Sequence, residues 1–240
     1  MIQHKAAWMV IALVTLAWAC GPAPETAKGD PVAAEAAPEP PDSGTRMTSA
    51  AVLVSHRVTD YETWKTAFEA DRPAREEASC LGHYLKRGVD DPDLVYVYCL
   101  ATDGDKLRTF LESSELAETL RKAGVSGEPT VTLMKPMSRN LVSKQRLPGI
   151  IVFHQVEDYA TWRVAYDALE EFRRESGIVG HAVTQGYDDP HRVVVYHQAD
   201  ELDDLHAFVD SPELKEAMRR GGVIGEPEIH FIQVVDFAAY

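Results

Sequence analysis

Hydrophobic and polar positions follow the same order twice along this chain. In residues 51–134 a β-rich apolar run, Val52 to Arg57, leads to Asp60. Behind it Tyr61, Trp64, Ala67 and Phe68 recur at helical spacing. An alternating run from about Gly82 to Arg87 follows, then a turn at Gly88 to Asp93 and a second run from Leu94 to Leu100. Leu107, Phe110 and Leu111 mark another helix, which restarts at Ser113 with Leu116 and Leu120. Thr130 to Met134 closes the series. The predicted order is strand, helix, strand, strand, helix, strand. Residues 149–232 repeat it at a constant offset, with Tyr159, Trp162, Ala165, Tyr166, Leu169 and Phe172 extending the first helical stripe and Glu228 to Val234 as the last strand. Aligned without a gap, 34 of the 84 pairs are identical, which establishes an internal duplication before any motif is considered.

The punctuation agrees with the pattern. Asp60 and Asp158 stand where an N-cap belongs, and Ser211-Pro212-Glu213 is a cap followed by proline at the first helical position. Gly124 and Gly222 suit the left-handed residue past a helix end. Asp90-Asp91-Pro92 and Asp188-Asp189-Pro190 carry turn chemistry. They hold too few oxygens for a calcium loop. The element order predicts an antiparallel four-stranded sheet with both helices on one face. The bare face of one sheet is then covered by that of its copy, joined by a connector over residues 136–148. The fold expected is α+β: two tandem ferredoxin-like βαββαβ repeats, residues 50–135 and 149–240, forming an intramolecular, pseudo-dimeric α+β barrel in a monomeric chain.

The first 49 residues lie outside this scheme. Ala6 to Ala19 is apolar apart from Thr15, too short to span a bilayer, and reads with its weakly basic start as a signal peptide over residues 1–20. It ends Leu16-Ala17-Trp18-Ala19-Cys20-Gly21, which resembles a bacterial lipobox with Cys20 as the lipidated residue, although Ala17 and Trp18 depart from the preferred pattern. Residues 21–49 hold six of the chain's 14 prolines, no aromatic residue and five acids, and so read as a disordered, extended tether. The expected address is the bacterial cell envelope, anchored in the lipid bilayer through Cys20, the outer membrane favoured, with the domains facing periplasm or exterior. A formal charge of −14 argues against nucleic acid and against electrostatic docking on anionic lipid.

His-x-Val-x-Asp-Tyr-x-x-Trp (His56 to Trp64), Gly82-His83, Asp90-Asp91-Pro92, Ser-x-Glu-Leu (Ser113 to Leu116) and Gly127-Glu128-Pro129, present in both copies, resemble the dimeric α+β barrel superfamily. The nearest group is the antibiotic-biosynthesis-monooxygenase-like (ABM-like) domains. The resemblance covers nearly all of residues 51–235. It implies the fold and leaves activity open, since members include cofactor-free oxygenases, haem-degrading enzymes, isomerases and plain binding modules. Asn140, the only asparagine, falls in the connector. The asparagine that the haem-degrading and quinone-forming branches use is therefore missing, and no cofactor is expected.

His56 and His154 recur, as do His83 and His181, with no close partner spacing that would mark a metal site. No metal is expected. His83 and His181 are the candidate general bases. His56, Trp64, Tyr98, His154, Trp162 and Tyr196 are the candidate contacts to a small apolar or aromatic ligand held between helices and sheet. Packing alone is the plainer reading of each. Cys80 and Cys99 occur only in the first copy. The hairpin about Asp90-Asp91 sets residues 80 and 101 roughly opposite, which brings the two cysteines near enough for a disulfide, with two buried thiols as the alternative. Three functions follow: a membrane-tethered binding protein, a cofactor-independent oxygenase or isomerase acting on a phenolic or polyketide-like substrate, and a structural or protein-interaction module. An enzyme of this kind needs an open cavity of roughly 300 Å³.

Overall fold

The computed structural model describes residues 48–142 and 145–240. The signal, Cys20 and the tether up to residue 47 lie outside the described residues. No described helix is long and apolar enough to cross a membrane.

Each repeat forms strand, helix pair, hairpin, helix pair, strand. The first contains β1 (Ala50–Val58), α1 (Tyr61–Ala70), α2 (Arg72–Glu77), β2 (Gly82–Gly88), β3 (Leu94–Ala101), α3 (Gly104–Leu111), α4 (Ser114–Lys122) and β4 (Val125–Asn140). The second contains β5 (Pro148–Val156), α5 (Tyr159–Asp167), α6 (Glu170–Glu175), β6 (Ile178–Gly186), β7 (Arg192–Ala199), α7 (Leu202–Asp210), α8 (Pro212–Arg220) and β8 (Val223–Ala239). Asp60 and Asp158 cap α1 and α5 by accepting from the Thr63 and Thr161 amides at 2.8 Å. Ser113 and Ser211 do the same for α4 and α8. Gly124 and Gly222 take positive φ after the last helix of each copy, a conformation that Cβ-bearing residues resist. Pro73 falls within the first two positions of α2, after the helix has broken at Asp71. The first expected helix of each copy is thus a pair, and in the second copy the break falls at Ala168–Leu169 without a proline.

Each copy contributes four antiparallel strands, ordered β4-β1-β3-β2 and β8-β5-β7-β6. β2 pairs with β8 and β4 with β6, so eight strands close into one ring. The two sheets are therefore hydrogen-bonded at both seams as well as facing each other. This is why the last strands are long. Val125–Asn140 pairs first with β1 and then with β6. Five residues assigned to the connector, 136–140, are consequently strand. Pro136, which has no N–H to give a ladder, sits beside the register shift between Pro136 and Ser138, where proline is tolerated.

Strand alternation divides the core in two. Inside the ring lie Ala51, Leu53, Tyr96, Leu100 and Met134 of the first copy against Ile151, Val194, Ile232, Val234 and Phe237 of the second. Outside, helices cover each sheet. Leu107 packs on Ala50 and Val52, and Trp64 on Leu85 and Val95. In the second copy Leu205 and Trp162 pack on Ile150 and Val193. Cys80 and Cys99 lie on this outer face and form a disulfide, with Cα atoms 6.1 Å apart. Cys80 stands opposite Ala101, as the hairpin register implies.

Candidate functional site

Two equivalent pockets lie between helices and sheet. That of the first copy, about 70 Å³, is lined by His56, Trp64, Phe68, Arg75 and Leu107 with the Cys80–Cys99 pair. That of the second, about 40 Å³, is lined by His154, Trp162, Tyr166, Arg173, His197 and Phe208. The first four of each set correspond one to one at the repeat offset. They are placed by the same elements: the end of the first strand supplies the histidine, the first helix the tryptophan and the next aromatic ring, and the second helix the arginine.

The geometry is also repeated. His56 lies 5.4 Å from the Trp64 ring and His154 lies 5.5 Å from Trp162, centroid to centroid. Trp64 stacks on Phe68 at 5.2 Å and Trp162 on Tyr166 at 4.9 Å. The Arg75 guanidinium covers Phe68 at 3.7 Å and that of Arg173 covers Tyr166 at 4.0 Å. Arg75 donates through Nη1 to the Phe68 carbonyl at 2.6 Å and Arg173 to the Tyr166 carbonyl at 2.5 Å. Both arginines are buried, so each guanidinium is fixed by backbone and π-face contacts.

His56 and His154 are buried, and neither nitrogen of either ring has a hydrogen-bond partner among the described residues. Burial pushes both pKa values down to about 4, so both rings are neutral at neutral pH. A neutral imidazole offers one donor and one acceptor, and an unpaired buried polar group is costly. A ligand carrying a hydroxyl or carbonyl would relieve that cost. His197 adds a third such ring in the second copy, its pKa also lowered by burial first and by Arg173 next. It is the counterpart of Cys99. The repeat comparison sets it apart from a shared site, and only its burial reveals it.

His83 and His181 are placed differently. Neither lines these two pockets. His83 Nδ1 is hydrogen-bonded to the Tyr240 hydroxyl at 2.8 Å, and His181 Nδ1 to that of Tyr166 at 2.9 Å. The first copy has Phe68 where the second has Tyr166, so Tyr240 supplies the missing hydroxyl. It also accepts from Arg75 Nε at 2.7 Å. Burial lowers the pKa of His83 to about 4, with Arg75 adding to the effect, and lowers that of His181 in the same way, with Arg173 next. Each of these two histidines is thus tied to a tyrosine hydroxyl, on a strand paired on both sides, outside the two pockets.

Tyr98 and Tyr196 do not join the tryptophans and histidines either. Cys99 and His197 beside them point outward, so alternation turns both tyrosines into the ring. There they line a separate cavity of about 50 Å³ with Leu53, Tyr84, Lys86 and Gln198. The six expected ligand contacts thus divide four and two between opposite faces of the sheets. Lys86 was not anticipated, since a lysine in an alternating strand reads as a solvent position. A depression of about 540 Å³ at Arg87, Pro92, Pro148 and Glu201 is open to solvent. Among the described residues no group of three or more His, Cys, Asp or Glu side chains could hold a metal ion.

No family model and no curated protein matches the sequence. Solved structures do match in shape. An anthrone oxidase-like protein superposes with a TM-score of 0.60 at 17% identity, over 80% of this chain and 94% of that one. A putative monooxygenase from Lactobacillus acidophilus NCFM gives 0.56 at 11% identity, over 80% and 97%. A mutant chlorite dismutase from Candidatus Nitrospira defluvii gives 0.51 at 16% identity, over 79% and 92%. The chain shares its fold with these structures. Identities this low establish fold and leave activity open.

Proposed function

We propose that this chain is an ABM-like binding protein that holds one small aromatic or apolar molecule, carrying a hydroxyl or carbonyl, in each of its two helix–sheet pockets. The observation that carries the reading is the paired constellation of His56, Trp64 and Arg75 with His154, Trp162 and Arg173, in which both imidazoles face a cavity with unsatisfied nitrogens. Packing alone does not account for two buried polar rings left unpaired at equivalent places. The cavities are small. A cavity of about 150 Å³ is needed to hold benzene, so a ring-sized ligand requires the covering helices, α3–α4 or α7–α8, to move outward.

Binding is tested with a panel of single-ring phenols and naphthols by native mass spectrometry. The wild-type protein is expected to take up two equivalents, the His154→Phe variant one, and the His56→Phe, His154→Phe double variant none. Phenylalanine keeps the ring and removes the unpaired nitrogens, so the double variant should melt at or above the wild-type temperature. Uptake unchanged in the double variant would overturn the reading.

A second reading is cofactor-independent oxygenation, with one of these imidazoles taking the proton of a phenol before its electrons pass to dioxygen; burial, which lowers both pKa values to about 4, makes each a weak base for that step. The cavities fall well short of the roughly 300 Å³ expected of such an enzyme, which places this reading second. Dioxygen consumption with an anthrone-like phenol, abolished in the double variant, would reverse that order.

The tether belongs to the proposal as well. Cys20 would carry lipid and residues 21–49 would hold the ring off the membrane surface. In a bacterial host, Cys20→Ala is expected to move the protein from the membrane fraction to the soluble one. Equal partition of the variant and wild type would remove the anchor from the proposal.

A further inference from the structure

The ring interior holds a buried lysine that the helix–sheet pockets do not use, in a cavity that the exposed Arg139 also lines. Lys86 is 5% exposed. Its ammonium lies 5.0 Å from the ring centroids of both Tyr98 and Tyr196 and 5.6 Å from that of Tyr84. Among the described residues no aspartate or glutamate lines the cavity, and none is within ion-pair reach of Lys86. A buried cation facing three aromatic rings and no counter-charge is an incomplete arrangement. The remaining walls are apolar, with Leu53, Ile151, Val194 and Val234 among them.

The place is built rather than incidental. Lys86 pairs with Val234 beside a register shift in the β2–β8 seam, and bulges of this kind re-aim side chains near functional sites. Tyr196 lies across Gly149, where an added Cβ would come within 2.5 Å of its ring. At the repeat offset, Lys86 and Tyr84 correspond to Thr184 and Ala182, and all four line the same cavity. The two copies have diverged here, whereas their outer pockets have kept matching constellations.

We propose that the ring interior is a second ligand site, which binds a short-chain carboxylate with its headgroup on the Lys86 ammonium and its alkyl tail against the aliphatic walls. The cavity volume of about 50 Å³ is about four times the roughly 10–15 Å³ that one water requires. That is the scale of acetate or propionate, and too small for the ring-bearing ligands of the outer pockets. The site is independent of those pockets, so either can fail without the other. The titratable and charged groups facing Lys86 are Tyr84, Tyr98, Tyr196 and Arg139. None carries a carboxylate, so among the described residues no internal carboxylate competes with the ligand.

The test is calorimetric titration of the purified protein with sodium acetate, propionate and butyrate, with chloride and phosphate as controls. Wild type is expected to bind a carboxylate at one site, and Lys86→Met to lose at least tenfold in affinity while keeping its fold. Burial holds the Lys86 pKa at about 7, so carboxylate affinity should also fall about tenfold per pH unit above that value as the ammonium deprotonates. The pH series on wild type keeps the proposal testable even if the variant does not fold. No carboxylate binding, equal affinity in Lys86→Met, affinity flat from pH 7 to 9, or chloride bound as well as propionate would each overturn it.

Discussion

Stability is expected to collapse on mild acidification, between about pH 6 and pH 4. His56, His83 and His154 are buried with pKa values lowered to about 4, against about 6.5 in an unfolded chain. Below pH 6.5 the unfolded state therefore binds a proton at each of these rings and the folded state does not. Protons favour whichever state binds more of them, so the contribution of these rings is full above pH 6.5 and is lost as pH drops towards 4. Each ring costs about 1.4 kcal/mol per pH unit in that window, so three acting together cost about 4 kcal/mol per unit. Small domains hold only about 5–15 kcal/mol in all. His197, shifted in the same direction, steepens the fall. Urea titrations at half-unit pH steps would show it, together with an uptake of about three protons on unfolding. A midpoint that stays constant from pH 7 to pH 5 would mean that these rings are not buried neutral. The His56→Phe, His154→Phe variant should unfold at lower pH than wild type.

The second large effect is expected from cutting the chain between its copies. Residues 48–142 alone retain β1 to β4 and their helices, but β2 loses β8 and β4 loses β6. Leu53, Tyr96, Leu100 and Met134 lose the opposite wall that buries them. A single repeat then presents two open edges and a bare apolar face, a combination that soluble monomers avoid. The isolated repeat should either pair with a second copy of itself or precipitate. Sedimentation of the purified repeat decides this. A cooperatively folded monomer would show that the shared interior contributes little.

Much of this architecture was legible in residue order. The offset of the two copies, the caps at Asp60 and Ser211, the glycines after α4 and α8, and the hairpin register at Cys80 each rest on local chemistry that a short segment specifies alone. The long ends of β4 and β8 were not legible, because their outer halves pair with the other copy. Nothing local in Pro136–Asn140, which carries a proline and alternating polar residues, announces a strand.

The site was legible in part, for a related reason. Trp64 and His56 share one pocket and Trp162 and His154 the equivalent pocket of the second copy, and the repeat itself revealed that correspondence. Tyr98 was assigned to the wrong face because a strand buried on both sides gives no polar alternation to orient it. Lys86 was overlooked because its burial depends on three rings and a wall drawn from both copies, none of them adjacent in sequence except Tyr84.

Covalent linkage of the halves has one more consequence. Were the first copy to self-associate with two-fold symmetry, every interior residue would occur twice, and a Lys86 would stand where Thr184 now does, setting two ammonium groups in one small cavity. Fusion into a single polypeptide frees each wall to vary alone. The chain can thus keep a single buried lysine at its centre, an arrangement that a symmetric pair of identical subunits could not adopt without like-charge repulsion.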